Sequence, residues 1–336
     1  MNKVGILGAG TWGSALAILL SNNGHEVTIW TKIEKEAQQL NENRNQLKNL
    51  PGAILPEQVK ITLDLRETCT DKDIIVMAVA SPYIRETAKA ARPYIKEGQV
   101  LVNVSKGLED KSLHTLSEVI SEEIPQADVA VLSGPSHAEE VSRQVPTTIV
   151  AGAASLNTAR IIQDVFMNEV FRVYTSPDII GIELGASLKN VIALAAGVLD
   201  GLGLGDNTKA ALMTRGMAEI SRLGVKMGGR METFSGLSGM GDLFVTCTSK
   251  HSRNRNAGYL MGKGYSMEEA MKEVNQVVEG VNTAQAALHL AKKYDVEMPI
   301  VEQINMVLFE GKTPQDALND LLVRDKRSEY KTLEWD

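Results

Sequence analysis

Three glycines in a G-x-G-x-x-G spacing constrain this chain more than anything else in it. Val4–Leu7 is apolar, Gly8, Gly10 and Gly13 follow, and Ser14-Ala15-Leu16-Ala17-Ile18-Leu19-Leu20 continues with the pattern of a buried helix. Strand, glycine turn and helix in that order make a phosphate site. Gly8 allows the tight turn, Gly10 lets a pyrophosphate approach the backbone, Gly13 lets the helix pack on the strand, and the helix N-terminus faces the phosphates. A glycine triplet alone fits an ordinary strand-to-helix turn equally well. Context favours a dinucleotide, because residues 24–30 supply the second strand that a βαβ unit needs.

Past that second strand, an NAD-selective site usually carries an acidic residue to accept hydrogen bonds from the ribose 2′-hydroxyl. Here the chain reads Thr31-Lys32. A hydroxyl and a cation suit a 2′-phosphate, so NADPH is the expected cofactor. Read blandly, Lys32 is a solvated surface lysine, and nearby Glu34 leaves NADH open.

Lys and Arg total 35 against 42 Asp and Glu, a net charge of −7. That balance argues against a nucleic-acid or anionic-membrane surface, so an anionic substrate must meet a local cationic cluster. Cys69 and Cys247 form no disulfide framework. The histidines, His25, His114, His137, His251 and His289, show no metal-ligand spacing and read as surface or packing residues; no metal is expected. Apolar stretches are interrupted by Gly, Ser, Asp or Lys before reaching about 18 residues, so no membrane span is expected. The start lacks the features of a signal peptide, and the expected setting is cytoplasmic.

Apolar strand patterns recur at 74–80, 99–104, 128–132, 147–151 and 171–174, with helical patterns after Pro82, from Ala138 and over 157–167. After Ser176-Pro177-Asp178 long helical patterns take over, at 179–202, 207–227, 266–275, 282–294 and 299–310. The expected architecture is an α/β domain, residues 1–177, with a Rossmann-type, doubly wound, mostly parallel sheet, and an all-α domain, residues 178–336, ending in a charged, loosely held tail from Arg324. The loops at 8–13, 80–82, 105–107 and 133–138 should converge at the carboxyl edge of the sheet.

Two lysines stand out chemically. Lys189 lies in the apolar segment Glu183-Leu-Gly-Ala-Ser-Leu-Lys-Asn190, where desolvation would bring its pKa toward the range useful for proton transfer. Lys106 follows a buried strand, where a cation could polarise a carbonyl oxygen. Each taken singly reads as structural; together with the glycine turn they suit ketone reduction. Residues 234–256 add a glycine-rich stretch, then Asp242, which could pair with a lysine from the first helix of the second domain. Ser252-Arg253-Asn254-Arg255 then reads as a short loop whose hydroxyl, guanidinium and amide donors match a phosphate monoester, or as a basic solvated loop.

Taken together, Gly8-Ala-Gly-Thr-Trp-Gly13, Ser105-Lys-Gly-Leu, Ser133-Gly-Pro-Ser-His-Ala-Glu-Glu, Leu188-Lys-Asn-Val, Gly239-Met-Gly-Asp-Leu and Ser252-Arg-Asn resemble the bacterial NAD(P)-dependent glycerol-3-phosphate dehydrogenases across nearly the whole chain. The resemblance implies reversible reduction of dihydroxyacetone phosphate to sn-glycerol 3-phosphate, a precursor of the phospholipid backbone. It makes Lys189 the acid in reduction and the base in oxidation, with Lys106 touching substrate and cofactor. Gly134 and Ser136 would hold substrate, Asp242 and Asn190 would orient the lysine and the reacting hydroxyl, and Thr246, Ser252, Arg253 and Asn254 would collect the phosphate. Beside Gly8, Gly10 and Gly13, the implied cofactor contacts are Thr11, Trp12, Lys32, Lys106, Ala138, Arg253, Val277 and Glu279. Thr31-Lys32-Ile33 departs from the arginine that family members often carry there.

Two alternatives compete. A β-hydroxyacid dehydrogenase or ketopantoate reductase would share the nucleotide half but act on a carboxylate, with no need for the 242–254 stretch. A non-catalytic NADPH sensor would use Lys189 only for packing. Apolar helices leave a homodimer open.

Overall fold

A computed structural model describes residues 1–45, 50–326 and 328–329. The expectation of a loose tail therefore falls largely outside the described residues. In the first half the elements run β1 (Lys3–Leu7), α1 (Thr11–Asn22), β2 (Glu26–Trp30), α2 (Glu34–Asn43), β3 (Lys60–Thr62), α3 (Leu65–Cys69), β4 (Ile74–Met77), α4 (Ile84–Ala91), β5 (Val100–Asn103), α5 (Leu116–Glu123), β6 (Asp128–Ser133), α6 (Ala138–Val141), β7 (Thr147–Gly152), α7 (Leu156–Phe166) and β8 (Phe171–Ser176). The second half is helical: α8 (Ile179–Gly201), α9 (Asp206–Lys226), α10 (Met231–Ser235), α11 (Asp242–Thr248), α12 (Arg253–Gly262), α13 (Met267–Val274), α14 (Glu279–Lys293), α15 (Pro299–Phe309) and α16 (Pro314–Leu322).

The strands form one sheet in the order β3-β2-β1-β4-β5-β6-β7-β8. Every pairing is parallel except β6 with β7. The exception has a local cause. A parallel return needs a crossover that recrosses the sheet, and α6, four residues long, does not supply one. The chain therefore turns back at the carboxyl edge, which keeps residues 134–138 there. Because β8 follows β7, the chain leaves the sheet at the opposite edge, and α8 carries it back. Buried apolar clusters cover both faces of the sheet, one including Val4, Leu16 and Phe171, the other Leu7, Ile75 and Ile120.

The glycine turn is as tight as its spacing requires. Gly8 has φ +117°, and a Cβ on Gly13 would lie 1.9 Å from the Gly8 carbonyl oxygen. Gly13→Ala should therefore push α1 off β1, destabilising the fold by about 3 kcal/mol and weakening nucleotide binding. Thermal melts with and without NADPH check this; unchanged melting would mean the contact is not needed.

α8 departs from the expectation that no apolar segment is long enough to span a membrane: by length and composition it is. Its environment is protein, however. α9, α11, α12 and α14 pack around it, and 89% of its most apolar window is buried. The close approach of α12 uses small residues, since a Cβ on Gly197 would lie 1.9 Å from the Arg255 oxygen. The loop expected at 252–255 is instead the start of a helix: Ser252 caps α12, its hydroxyl accepting from the Arg255 N–H at 3.2 Å. The strand expected over 74–80 stops at Met77, and a 3₁₀ turn, Ser81–Tyr83, precedes α4.

Candidate active site

A cleft of about 840 Å³ lies along the carboxyl edge of β1, β4, β5 and β6, facing the helical half. Its sheet side carries Gly10, Thr11, Trp12, Ala80, Lys106, Ser136 and Ala138; its helical side carries Lys189, Asn190, Asp242, Thr246, Ser252, Arg253, Asn254, Val277 and Glu279. The four loops expected to converge do so. Gly8 and Gly13 form the turn behind the cleft. Gly134 contributes its carbonyl oxygen, which accepts from Lys106 Nζ at 3.0 Å. Lys32 is not brought to the cleft: it is exposed and pairs with Glu86 at 2.8 Å, while the hydroxyl of buried Thr31 donates to Glu36.

At the centre, one carboxylate joins two ammonium groups. Asp242 Oδ1 accepts from Lys189 Nζ and Oδ2 from Lys106 Nζ, each at 2.7 Å. The side chains of Asp242 and Lys189 are 2% and 5% exposed, and that of Lys106 is 21% exposed. Lys189 also donates to Thr246 Oγ1 at 2.5 Å, and that hydroxyl donates to the Asp242 carbonyl at 2.6 Å. Two of the three Lys189 N–H donors are thus committed. Burial pulls the Lys189 ammonium down to about 8, with Lys106 adding to the effect and Asp242 opposing it. Burial alone would raise the Asp242 carboxyl, but Lys106 and Lys189 together hold it below its usual value.

Local structure explains the placement. Residues Leu237–Gly241 form a π-helical turn, a wide turn often found at functional sites. It delivers Asp242 to the first position of α11, beside α8. On the same wall Asn254 Nδ2 donates to Asn190 Oδ1 at 3.0 Å, and Asn254 Oδ1 accepts from the Gly280 N–H at 2.7 Å. With Ser252 as cap, Arg253 and Asn254 stand at the N-terminus of α12, where the helix dipole favours an anion.

The sheet side fits a dinucleotide. No side chain caps α1 at Gly10, and a Cβ added there would meet nothing within 4 Å. The uncapped N-terminus of α1 therefore presents its N–H groups to open space, as a pyrophosphate requires. Glu279, at the start of α14, accepts from Ser81 Oγ at 3.3 Å, and burial raises its carboxyl to about 7. Among the described residues no three His, Cys, Asp or Glu side chains cluster as a metal site.

Two histidines expected to be surface or packing residues line the cleft. The rings of His137 and His251 lie 6.0 Å apart. Burial, then Lys189 and Lys106, pushes His137 down to about 4, so it is neutral at physiological pH. The signal was adjacency, since His137 follows Ser136 and His251 precedes Ser252.

A Rossmann-type lobe joined to a helical lobe, with a glycine turn and a paired, buried lysine facing each other across the cleft, is the build of a two-lobed nicotinamide-dependent dehydrogenase. Comparison narrows the class. Family models described as NAD-dependent glycerol-3-phosphate dehydrogenase N-terminus and C-terminus match residues 3–159 and 178–319. The chain is 58% identical over 335 residues to glycerol-3-phosphate dehydrogenase [NAD(P)+] of Agathobacter rectalis, covering 100% of both chains. It is 52% identical over 336 residues to the Bacillus subtilis protein of the same name, covering 99% of this chain and 97% of that one. The crystal structure of glycerol-3-phosphate dehydrogenase from Coxiella burnetii superposes with a TM-score of 0.93 at 36% identity, covering 96% of this chain and 99% of the other. The chain belongs to the NAD-dependent glycerol-3-phosphate dehydrogenase family.

Proposed function

We propose that the protein reduces dihydroxyacetone phosphate reversibly to sn-glycerol 3-phosphate, using NADPH with NADH as an alternative, and that Lys189 is the acid-base group. The observation that carries this is the Lys106–Asp242–Lys189 bridge beside an anion-ready helix end. A reduced nicotinamide, when bound, supplies the hydride to the ketone carbon. Lys189 gives a proton to the ketone oxygen, and the Lys106 ammonium stabilises charge on that oxygen. Asp242 and Thr246 hold the Lys189 amine, and Asn190, Gly134 and Ser136 contact the three-carbon chain. Arg253, Asn254 and the N-terminus of α12 take the phosphate, fixing the ketone by its remote end. Gly8, Gly10, Thr11, Trp12, Gly13, Ala138, Val277 and Glu279 would surround the dinucleotide; Lys32 would reach it only after releasing Glu86.

The same reading divides the chain into residues 1–177 and 178–336. It is supported by the end of β8 at Ser176 and by a helical core that, among the described residues, draws just Leu108 and the partly buried Leu113 from the first half. It includes a cytoplasmic setting, with which free, buried Cys69 and Cys247 agree, and a product that supplies glycerophospholipid synthesis.

Loss of reduced-nicotinamide absorbance on adding dihydroxyacetone phosphate, but not ketopantoate, tests the assignment. Turnover of ketopantoate alone would make the enzyme a carboxylate reductase, and no turnover of either would leave a nucleotide-binding sensor. Arg253→Ala should raise KM for the phosphorylated ketone about tenfold or more, as expected for losing a charge-assisted contact of about 1.5–3 kcal/mol, with a smaller change in kcat. An unchanged KM would move the phosphate elsewhere.

A further inference from the structure

We propose that Glu183 and Ser187, one turn apart on α8, are positioning residues for Lys106: they bind the loop that carries it to the helix that carries Lys189, and so set the gap between the two ammonium groups. The inference rests on the proposed roles of those lysines, but its evidence lies outside the cleft.

Lys106 stands in a short loop, 104–107, and the chain is fastened to α8 on both sides of it. At the first end is Asn103, the fully buried last residue of β5. Its Nδ2 donates to Glu183 Oε1 at 2.7 Å, and its Oδ1 accepts from the Ser105 N–H at 3.0 Å. The Glu183 carboxylate also accepts from the Ser117 N–H at 3.1 Å and from the Ser117 hydroxyl, so the start of α5 is drawn into the same joint. At the other end Ser187 makes a reciprocal pair with Gly107: its Oγ accepts from the Gly107 N–H at 3.0 Å and donates to the Gly107 carbonyl at 2.8 Å. Lys106 lies between these fastenings, and Lys189 is two residues beyond Ser187.

This joint is costly if its purpose is only to pack α8 on the sheet. Glu183 is fully buried and has no cationic partner in the joint; burial pushes its carboxyl up. Replacing a buried polar group and its partners together by apolar side chains of the same shape can be neutral or stabilising. What an apolar contact lacks is direction. Glu183 fixes Asn103 in rotation, and Asn103 fixes Ser105, whose hydroxyl donates to the Val79 carbonyl at 2.5 Å. Lys106 Nζ then meets Asp242 Oδ2 while Lys189 occupies Oδ1. A shift of about 1 Å in such a constellation can cost a hundredfold in rate.

The test uses the full-length protein and two readouts. Ser187→Ala removes one hydroxyl from the second fastening, Asn103→Ala opens the first by an independent route, and Glu183→Gln keeps an acceptor for Asn103. Trace acetylation with acetic anhydride, read by peptide mass spectrometry, reports how firmly each lysine is held; Lys72, which donates to Thr28 at 2.9 Å on another part of the sheet, is the internal reference. Ser187→Ala and Asn103→Ala should each raise acetylation of Lys106 about tenfold with Lys72 unchanged, and lower kcat for dihydroxyacetone phosphate by about tenfold. Glu183→Gln, which keeps the acceptor, should leave both within about twofold of the parent. Lys106 labelling that matches the parent in both alanine variants, or Lys106 and Lys72 accelerating together, would overturn the proposal. If the parent protein does not turn over dihydroxyacetone phosphate, the functional reading fails, and the labelling ratio still decides the fastening.

Discussion

Lys189→Ala is expected to lower kcat for ketone reduction by about 10²- to 10⁴-fold, the range associated with a positioned acid-base group. Binding should survive better than turnover, because the phosphate contacts proposed at the start of α12 and the turn before α1 lie elsewhere in the cleft. The fold should survive too, since Asp242 keeps Lys106 as its partner. The pH profile gives a sharper check. Burial places the Lys189 ammonium at about 8. Reduction consumes the protonated form, so kcat/KM should fall as pH rises through about 8; oxidation needs the free amine, so its kcat/KM should rise over the same window. Both limbs should vanish in Lys189→Ala. Near-normal turnover, or a surviving limb near 8, would remove Lys189 from the chemistry.

The features legible from sequence were those that depend on local pattern. The glycine spacing specified the first turn, continuous apolar runs specified buried parallel strands, and an ammonium in an apolar helix had either to reach water or to meet partners. Asp242 as such a partner was legible because a buried lysine needs a carboxylate and the glycine-rich stretch could bring one close. What the pattern did not show depends on distance in space. Whether Lys32 turns toward a nucleotide or toward Glu86 is settled by α4, more than fifty residues along the chain. That Ser252 begins a helix is decided partly by the groove α8 offers to Gly258, whose Cβ would lie 2.0 Å from the Leu194 oxygen. The joint through Asn103, Glu183 and Ser187 was invisible for the same reason: an Asn ending a strand and a Glu and a Ser on an apolar helix acquire meaning only when β5 and α8 meet.

Asp242→Asn should have the second large effect, on both rate and stability. The substitution preserves size and removes the one negative charge between two cations, leaving Lys106 and Lys189 facing a neutral amide. Removing one member of a buried ion pair typically costs about 3–5 kcal/mol, and Asp242 is buried with both partners attached. Lys189 can escape part of that cost by losing its proton. Asp242 raises the Lys189 pKa through charge and hydrogen bonding, so its removal drives that pKa further below the unfolded value. The folded state then binds fewer protons than the unfolded state across neutral pH, and stability rises with pH over that window. In the parent protein the corresponding rise lies between about 8 and the ordinary lysine value of 10.5. Chemical denaturation at a series of pH values should therefore show Asp242→Asn weakest at low pH and recovering from a lower pH than the parent. Reduction should move the other way: with Lys189 already neutral there is little proton to give, kcat should fall about 10²-fold or more, and the descending limb of kcat/KM should shift to lower pH. Parallel stability curves for the two proteins, or an unshifted limb, would show that Asp242 does not govern the charge of Lys189.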